Sequence, residues 1–139
     1  VSKGAEYALL AASYLGWPKA VAAIVPSDVV WEGWGAGAKA EGTVASFALG
    51  GRPLPFVPYD GMPAEFAAAQ RERRPVRLVG PHAAGRVKHP DRVAAARIPV
   101  ERFRGALLVA GGGRDEVWPS LEMATNVAAT RARAGLPTE

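Results

Sequence analysis

The chain opens with VSKGAEYALLAASYLGWPKAVAAIV (residues 1–25), and this stretch decides the fold. Ala and Leu recur at helical spacing over residues 3–15, which predicts a helix, and Gly16 and Pro18 predict its end. Residues 20–25 are a short apolar run bounded by prolines, as is typical of a strand buried on both faces. The stretch therefore predicts a helix followed directly by a buried strand.

The same pattern returns near the other end of the sequence, in the opposite order. ALLVA (residues 106–110) predicts a second buried strand, and GGG (residues 111–113) predicts a turn. A helix is expected to start at Pro119 and Ser120, with Ser120 as its N-cap and Gly135 near its end. Because strands alternate with helices, the sequence predicts an α/β fold with a parallel sheet.

Between these parts, residues 28–98 are rich in glycine and proline. Frequent glycine and proline interrupt long helices and strands, and only residues 63–74 are predicted to form a short helix. We therefore expect an excursion from the sheet, which would form a lid or an insertion. The expected organisation is one partial domain: elbow, helix and strand in residues 1–27, the lid or insertion in 28–98, and an acid-bearing strand, turn and helix in 99–139.

Ser2 stands directly before the first helix, in Val1-Ser2-Lys3-Gly4. This is the tail of the G-x-S-x-G nucleophile elbow of α/β-hydrolases, in which a serine sits on a sharp turn from strand to helix and its neighbours must be small. The backbone N–H of Lys3 would be one oxyanion donor. The alternative is a serine that only caps the helix.

Asp115 is the candidate for the triad acid. In α/β-hydrolases the acid follows a later strand than the serine, and Asp115 follows the strand of residues 106–110. A carboxylate there can hold a histidine in the right tautomer. Asp28 and Glu116 are weaker rivals, and Asp115 could also be a turn-forming residue.

The histidine of a triad has no obvious candidate in this sequence. His82 and His89 both precede Asp115, whereas the expected order places the catalytic histidine after the acid. We expect that histidine to lie beyond Glu139, so that the chain would be a fragment of a larger hydrolase. His82 and His89 are expected to be exposed loop residues.

Composition limits the classes of protein to consider. The 139 residues are 49% hydrophobic and 22% charged, with a formal net charge of +4, which is a globular composition. The excess positive charge is local, and it is explained by a solvated surface or, alternatively, by steering of an anionic ligand. Its residues are Arg71, Arg73, Arg74, Arg77, Arg86, Lys88 and Arg92, against Glu72 and Asp91. Nucleic-acid binding is not expected, because aromatic residues are not interleaved with this charge.

Several blocks resemble one family, that of the acyl-CoA thioester hydrolases and bile-acid-CoA:amino acid N-acyltransferases, in its C-terminal catalytic domain. These blocks are VSKGAE (residues 1–6), AIVPS (23–27) with VVW (29–31), GRPLPFVP (51–58), IPVE (98–101) and GGGRDEVWPS (111–120). They run from the first residue to the final helix, and residues 60–95 match least. The elbow and the Asp-x-x-Trp-Pro-Ser block carry most of the specificity.

The resemblance implies a Ser/Cys–Asp–His triad that acts on acyl-CoA thioesters. The family's nucleophile corresponds to Ser2 and its aspartate to Asp115, and its histidine has no counterpart here. Acyltransferase members use cysteine, so the serine favours transfer of the acyl group to water. Full-length members also carry an N-terminal β-sandwich domain, which this sequence does not contain.

The expected function is that of a serine hydrolase for an acyl-CoA or ester substrate. A carboxylester or dienelactone-type hydrolase and a non-catalytic hydrolase-fold module are the alternatives. No cofactor, metal site or membrane span is predicted, the lack of cysteine favours a cytoplasmic setting, and the oligomeric state is not predicted. Trp31, Trp34 and Trp118 are expected to pack the insertion or, alternatively, to line an acyl pocket.

Overall fold

The structure is a computed structural model that describes residues 1–34 and 44–139. In chain order its elements are α1 (Lys3–Leu15), β1 (Ala20–Ile24), β2 (Ala48–Leu49), β3 (Arg52–Pro53), α2 (Met62–Glu72), α3 (Val79–Lys88), α4 (Pro90–Ala95), a 3-10 turn (Val100–Arg102), β4 (Ala106–Ala110) and α5 (Ser120–Arg133). The residues cluster into two units. The first comprises Val1–Val29, Arg97–Gly113 and Ser120–Glu139, and the second comprises Val30–Ala96 and Arg114–Pro119.

The predicted first helix is confirmed as α1. Its buried side includes Ala5, Leu9 and Ala12, which recur at helical spacing. The helix ends at Gly16, whose φ of 69° is left-handed. Glycine adopts this conformation without strain, so Gly16 stops the helix where the sequence predicted.

The two predicted strands pair in parallel in the first unit. Ala20 of β1 lies opposite Ala106 of β4, and Ile24 lies opposite Ala110. Both strands therefore end at the same edge of the sheet, which we call the carboxyl edge. α1 packs on β1 and α5 packs on β4.

The prediction that these strands are buried on both faces is wrong for the described residues. One face is covered more than the other: Ala23 and Leu107 are buried, whereas the residues on the other face are exposed except for the half-buried Ile24. Leu108 of β4, for example, keeps 44% of its surface in contact with solvent. An apolar run without alternation cannot show which face is packed, because both faces carry the same kind of side chain.

The predicted last helix is confirmed as α5, which begins at Ser120. We predicted Ser120 as the N-cap, whereas the structure makes it the first helical residue and joins its hydroxyl to the preceding turn. The Ser120 Oγ accepts the backbone N–H of Gly112 at 3.0 Å. Met123 and Val127 then form the buried side of the helix.

Arg131 of α5 is fully buried and binds backbone carbonyl groups. Its guanidinium donates to the carbonyl oxygens of Gly105 at 3.0 Å and Pro137 at 2.9 Å, and also to that of Phe103. Burial, together with the nearby Arg104, lowers the pKa of Arg131. Arg131 thus ties the end of α5 to the segment that leads into β4.

The second unit contains more helix than the sequence predicted. The helix expected over residues 63–74 is α2, but α3 and α4 were not predicted. Pro63 in α2 and Pro90 in α4 stand at the starts of these helices, where the missing N–H costs nothing. Gly85 is needed inside α3, since a side chain there would collide with the carbonyl oxygen of Pro58.

The described residues therefore form a mixed α/β structure with a small parallel sheet and flanking helices. A search of residues 1–34 and 44–139 finds no helix with the length and hydrophobicity needed to cross a bilayer.

A carboxylate–guanidinium pair joins α2 to the segment after it. Arg74 contacts both carboxylate oxygens of Glu65, at 2.6 and 2.9 Å, and the backbone N–H of Arg77 donates to one of them. The hydrogen bonds from Arg74, followed by that from Arg77, lower the pKa of Glu65 to about 2 from its ordinary value of 4.5.

We expect Glu65 to titrate with a midpoint of about 2 when its side-chain carboxyl is followed by NMR. Because its pKa is lowered in the folded state, Glu65 stabilises the protein above pH 4.5, and this contribution disappears as the pH falls through about 2. Arg74→Gln should move the midpoint back towards 4.5. Arg71→Gln is the control, since Arg71 contacts Glu72 instead. A midpoint near 4.5 in the unmodified protein would contradict the expectation.

Candidate active site

Ser2 has an unusual backbone conformation for a residue at the start of a helix. Its φ is 53° and its ψ is −126°, and its side chain makes no capping hydrogen bond. A capping serine normally has β-region angles and accepts an N–H bond through its hydroxyl. Ser2 therefore does not behave as a simple cap. A non-glycine residue in this region is strained, at a cost of about 1–3 kcal/mol.

The start of α1 is attached to the carboxyl end of β1. The backbone N–H of Ser2 donates to the carbonyl oxygen of Ile24 at 3.0 Å. The carbonyl of Ser2 in turn accepts the N–H groups of Ala5 and Glu6, at 2.8 and 3.1 Å. Ser2 thus stands where the edge of the sheet meets the amino end of a helix, which favours negative charge.

Gly4 does not have the close contacts that we expected beside the serine. A Cβ placed on Gly4 would meet no described atom within 4 Å. The small size of this residue is therefore not required by packing among residues 1–34 and 44–139. The expectation of a tight backbone approach at this position is not supported by the described contacts.

Lys3 is held by a buried carboxylate. Its Nζ contacts both carboxylate oxygens of Glu6, at 3.0 and 2.9 Å, and Glu6 is fully buried. Burial lowers the pKa of Lys3, and the charge of Glu6 partly offsets this effect. The Lys3 side chain, which is 41% exposed, therefore has an ion-pair partner on its own helix. The spacing of three residues on one helix face is the sequence signal that could have shown this pair.

A second turn lies at the carboxyl edge of the same unit, directly after β4. It begins at Gly111, where an added Cβ would lie 2.6 Å from the Ser120 carbonyl oxygen and 2.5 Å from the Leu121 Cα. Only glycine fits there, because α5 packs directly on the turn. The same contact fixes the direction in which the chain leaves β4.

We expect Gly111→Ala to lower the free energy of unfolding by about 1–3 kcal/mol, since the new methyl group meets backbone atoms that cannot move away. Gly113→Ala is the matched control: its Cβ would meet only the flexible Leu121 side chain, at 3.7 Å. That change should cost less than about 0.5 kcal/mol. Urea denaturation measures both values, and equal losses in the two variants would contradict the packing described here.

Asp115 lies in the second unit, in a turn before α5. Its Oδ1 accepts the backbone N–H of Val117 at 2.9 Å and that of Trp118 at 3.4 Å. This is the turn-forming role that we named as the alternative for Asp115. The same bonds orient the carboxylate, which an acid that must position a histidine also requires. Ser2 and Lys3 belong to the first unit.

The rival acids have structural partners of their own. The buried Asp28 accepts a hydrogen bond at 2.8 Å from the Asn126 side chain, which links it to α5. Glu116 forms an exposed ion pair with Arg77, at 3.3 Å. An exposed pair of this kind contributes little to stability.

His82 is not the exposed loop residue that we expected. It lies on α3, is only 4% exposed, and its Nδ1 donates to the Leu78 carbonyl oxygen at 2.8 Å. The rings of Trp31, Tyr59 and Trp118 surround it, with centroids 4.6, 4.9 and 5.7 Å away. Sequence patterns missed this cluster because α3 itself was not predicted.

His89 is half-buried at the junction of α3 and α4, and so is not an exposed loop residue either. Trp31 and Trp118 are buried inside the second unit, where their rings contact His82. Trp34 is 67% exposed and lies against Phe66.

No protein-family model matches the chain, and no curated protein matches it either. In the part of the chain that the structure describes, no group of three or more His, Cys, Asp or Glu residues is arranged to hold a metal ion.

Proposed function

We propose that this chain is part of the catalytic domain of a serine hydrolase of the acyl-CoA thioesterase type, with an α/β-hydrolase fold. In this proposal Ser2 is the nucleophile, Asp115 is the triad acid, and the backbone N–H of Lys3 is an oxyanion donor. The local sequence around these residues resembles the acyl-CoA thioester hydrolase and N-acyltransferase family. The substrate would be an acyl-CoA or a related thioester or ester.

The observation that carries the proposal is the backbone of Ser2, with φ 53° and ψ −126°. This conformation has a cost, and a serine that only started a helix would have no need of it. A nucleophile elbow needs a strained turn of this kind, because the turn presents the hydroxyl at the edge of the sheet. The hydrogen bond from Ser2 to Ile24 supports the same view, since it attaches the turn to the end of a parallel strand.

The chemistry follows from these roles. The Ser2 oxygen attacks the thioester carbonyl carbon while a histidine takes the hydroxyl proton. The carbonyl oxygen becomes negative in the tetrahedral intermediate, and the Lys3 N–H at the amino end of α1 stabilises it. The intermediate collapses with release of the thiol, which receives the proton from the histidine. Water then attacks the acyl-serine, assisted by the same histidine, and the free acid leaves.

We propose that this histidine comes from outside residues 1–139. The course of the chain after α5 supports this part of the proposal. The Glu139 N–H donates to the Leu107 carbonyl at 2.9 Å, and the Val109 N–H donates to the Glu139 carbonyl at 2.8 Å. These are the two bonds that a residue of a parallel strand makes with β4. A chain continuing from Glu139 in this direction would run to the carboxyl edge, where the turn at Gly111 lies.

Two other functions remain as alternatives to test. A carboxylester or dienelactone-type hydrolase would use the same residues on an oxygen ester. A non-catalytic module would keep the scaffold without an activated serine, because a fold does not by itself determine function. The serine at position 2, where acyltransferase members of the resembling family have cysteine, favours hydrolysis over transfer of the acyl group to an amine.

The nucleophile is tested in the full-length protein that contains this chain. We expect a fluorophosphonate probe to label Ser2, and Ser2→Ala to lower kcat/KM for an acyl-CoA by at least about 1,000-fold. Ser13→Ala is the matched control on α1, since the buried Ser13 hydroxyl has no hydrogen-bond partner among the described residues. It should leave labelling and turnover unchanged. Labelling that persists in Ser2→Ala would remove Ser2 from the mechanism.

The same preparation separates the alternatives. Faster turnover of p-nitrophenyl esters than of acyl-CoA would favour the carboxylester hydrolase. Absence of both labelling and turnover in the full-length protein would favour the non-catalytic module. The fragment of residues 1–139 should be almost inactive, and strong thioesterase activity from it would make His82 or His89 the candidate base.

The acid is tested by Asp115→Asn in the full-length protein. The asparagine oxygen can still accept the N–H groups of Val117 and Trp118, so the turn should survive. We expect kcat to fall by about 1,000- to 10,000-fold, because the neutral amide no longer stabilises the protonated histidine or selects its tautomer. Asp28→Asn and Glu116→Gln are the matched controls. A large loss in one of these variants, with activity retained in Asp115→Asn, would move the acid to that residue.

A further inference from the structure

We propose that a groove at the amino ends of β1 and β4 binds a phosphate-bearing anion. The groove has a volume of about 450 Å³, and its lining includes Gly16, Pro18, Lys19, Arg102, Phe103 and Arg104. It lies in the first unit, at the end of β1 opposite to the one that holds Ser2. The proposal is therefore independent of the acyl site and of the function proposed above.

Three exposed cations meet at this groove. Lys19 directly precedes β1, and Arg102 and Arg104 lie on the segment that leads into β4. No carboxylate lines the groove, and no carboxylate of the described residues forms an ion pair with these three side chains. The neighbouring Glu101 is bound instead by Arg97, at 3.2 Å. Within residues 1–34 and 44–139, no carboxylate thus neutralises the positive charge of the groove.

A fourth positive charge lies behind the wall of the groove. The guanidinium carbon of Arg131 is 5.5 Å from the centre of the Phe103 ring, and Arg131 is fully buried. All its hydrogen bonds to the described residues go to backbone carbonyls and to the Thr138 hydroxyl. Those groups satisfy its donors but do not cancel its charge. A buried charge in low dielectric is felt over a longer distance than an exposed one, so it strengthens the potential of the groove.

The shape of the groove suits a small anion. Gly105 and Lys19, which both line the groove, pack closely through their backbones. A side chain on Gly105 would collide with the Lys19 carbonyl oxygen. Arg102 is positioned by the Tyr14 ring, 5.8 Å from its guanidinium carbon. Arginine forks bind phosphate oxygens in a bidentate manner, and a phosphate offers more oxygens and more charge than a carboxylate.

The same phosphate chemistry could come from a free anion or from a lipid headgroup, and the test separates them. Isothermal titration with inorganic phosphate and pyrophosphate, at a constant ionic strength of about 0.15 M, covers the first source. Cosedimentation with phosphatidic acid vesicles, compared with phosphatidylcholine vesicles, covers the second. Trp17, which is 69% exposed and close to Lys19 in the sequence, offers tryptophan fluorescence as an additional readout of binding.

The variant Arg102→Gln/Arg104→Gln should weaken binding of pyrophosphate at least about tenfold. Arg52→Gln/Arg77→Gln is the matched control, because it removes the same charge from exposed arginines of the second unit. Lys19→Gln, a single exposed change, covers the case in which the double variant does not fold.

Saturable binding that is lost in the groove variants and kept in the control supports the proposal. If only vesicles bind in this pattern, the ligand is a lipid headgroup. No saturable binding of either kind would overturn the proposal, and so would an equal loss in the control, since that result means general charge attraction.

Discussion

The parallel pairing of β1 with β4 holds the first unit together. These strands are far apart in sequence, and their ladder of hydrogen bonds forms only when Ile24 lies opposite Ala110. That register brings two chain segments to one edge, the Ser2 turn through its bond to Ile24 and the Gly111 turn through β4. A shift by one residue would exchange the covered and open faces of β4 and would separate α5 from the turn on which it packs.

The strained backbone of Ser2 is tolerated because the surrounding structure holds it. A left-handed serine costs about 1–3 kcal/mol, so the rest of the structure must hold it in place. The bond to Ile24, the burial of α1 and the anchoring of Lys3 by Glu6 provide that support. The first turn of α1 is thereby fixed from both sides, which is the preorganisation that stabilisation of a developing negative charge requires.

Two buried polar side chains of this protein form hydrogen bonds with the backbone. Arg131 donates to carbonyl oxygens in the first unit, and His82 donates to the Leu78 carbonyl in the second. Such bonds avoid the cost of unpaired donors but leave formal charge in place. For Arg131 they leave a positive charge near Arg104, which lines the groove at the amino ends of β1 and β4.

Local sequence patterns determined α1, β1, β4 and α5, because helical spacing, apolar runs and the stops at Gly16 and Gly111 are encoded within a few residues. They also identified Ser2 and Asp115 as candidates. Tertiary structure decided the rest: the covered face of the sheet, the strained backbone of Ser2, the Lys3–Glu6 pair, and the helix α3 that carries His82. These features depend on contacts between residues that are distant along the chain. Proline is favourable at the start of a helix and disruptive in its middle. The tertiary contacts of the segment show which of these positions a given proline occupies.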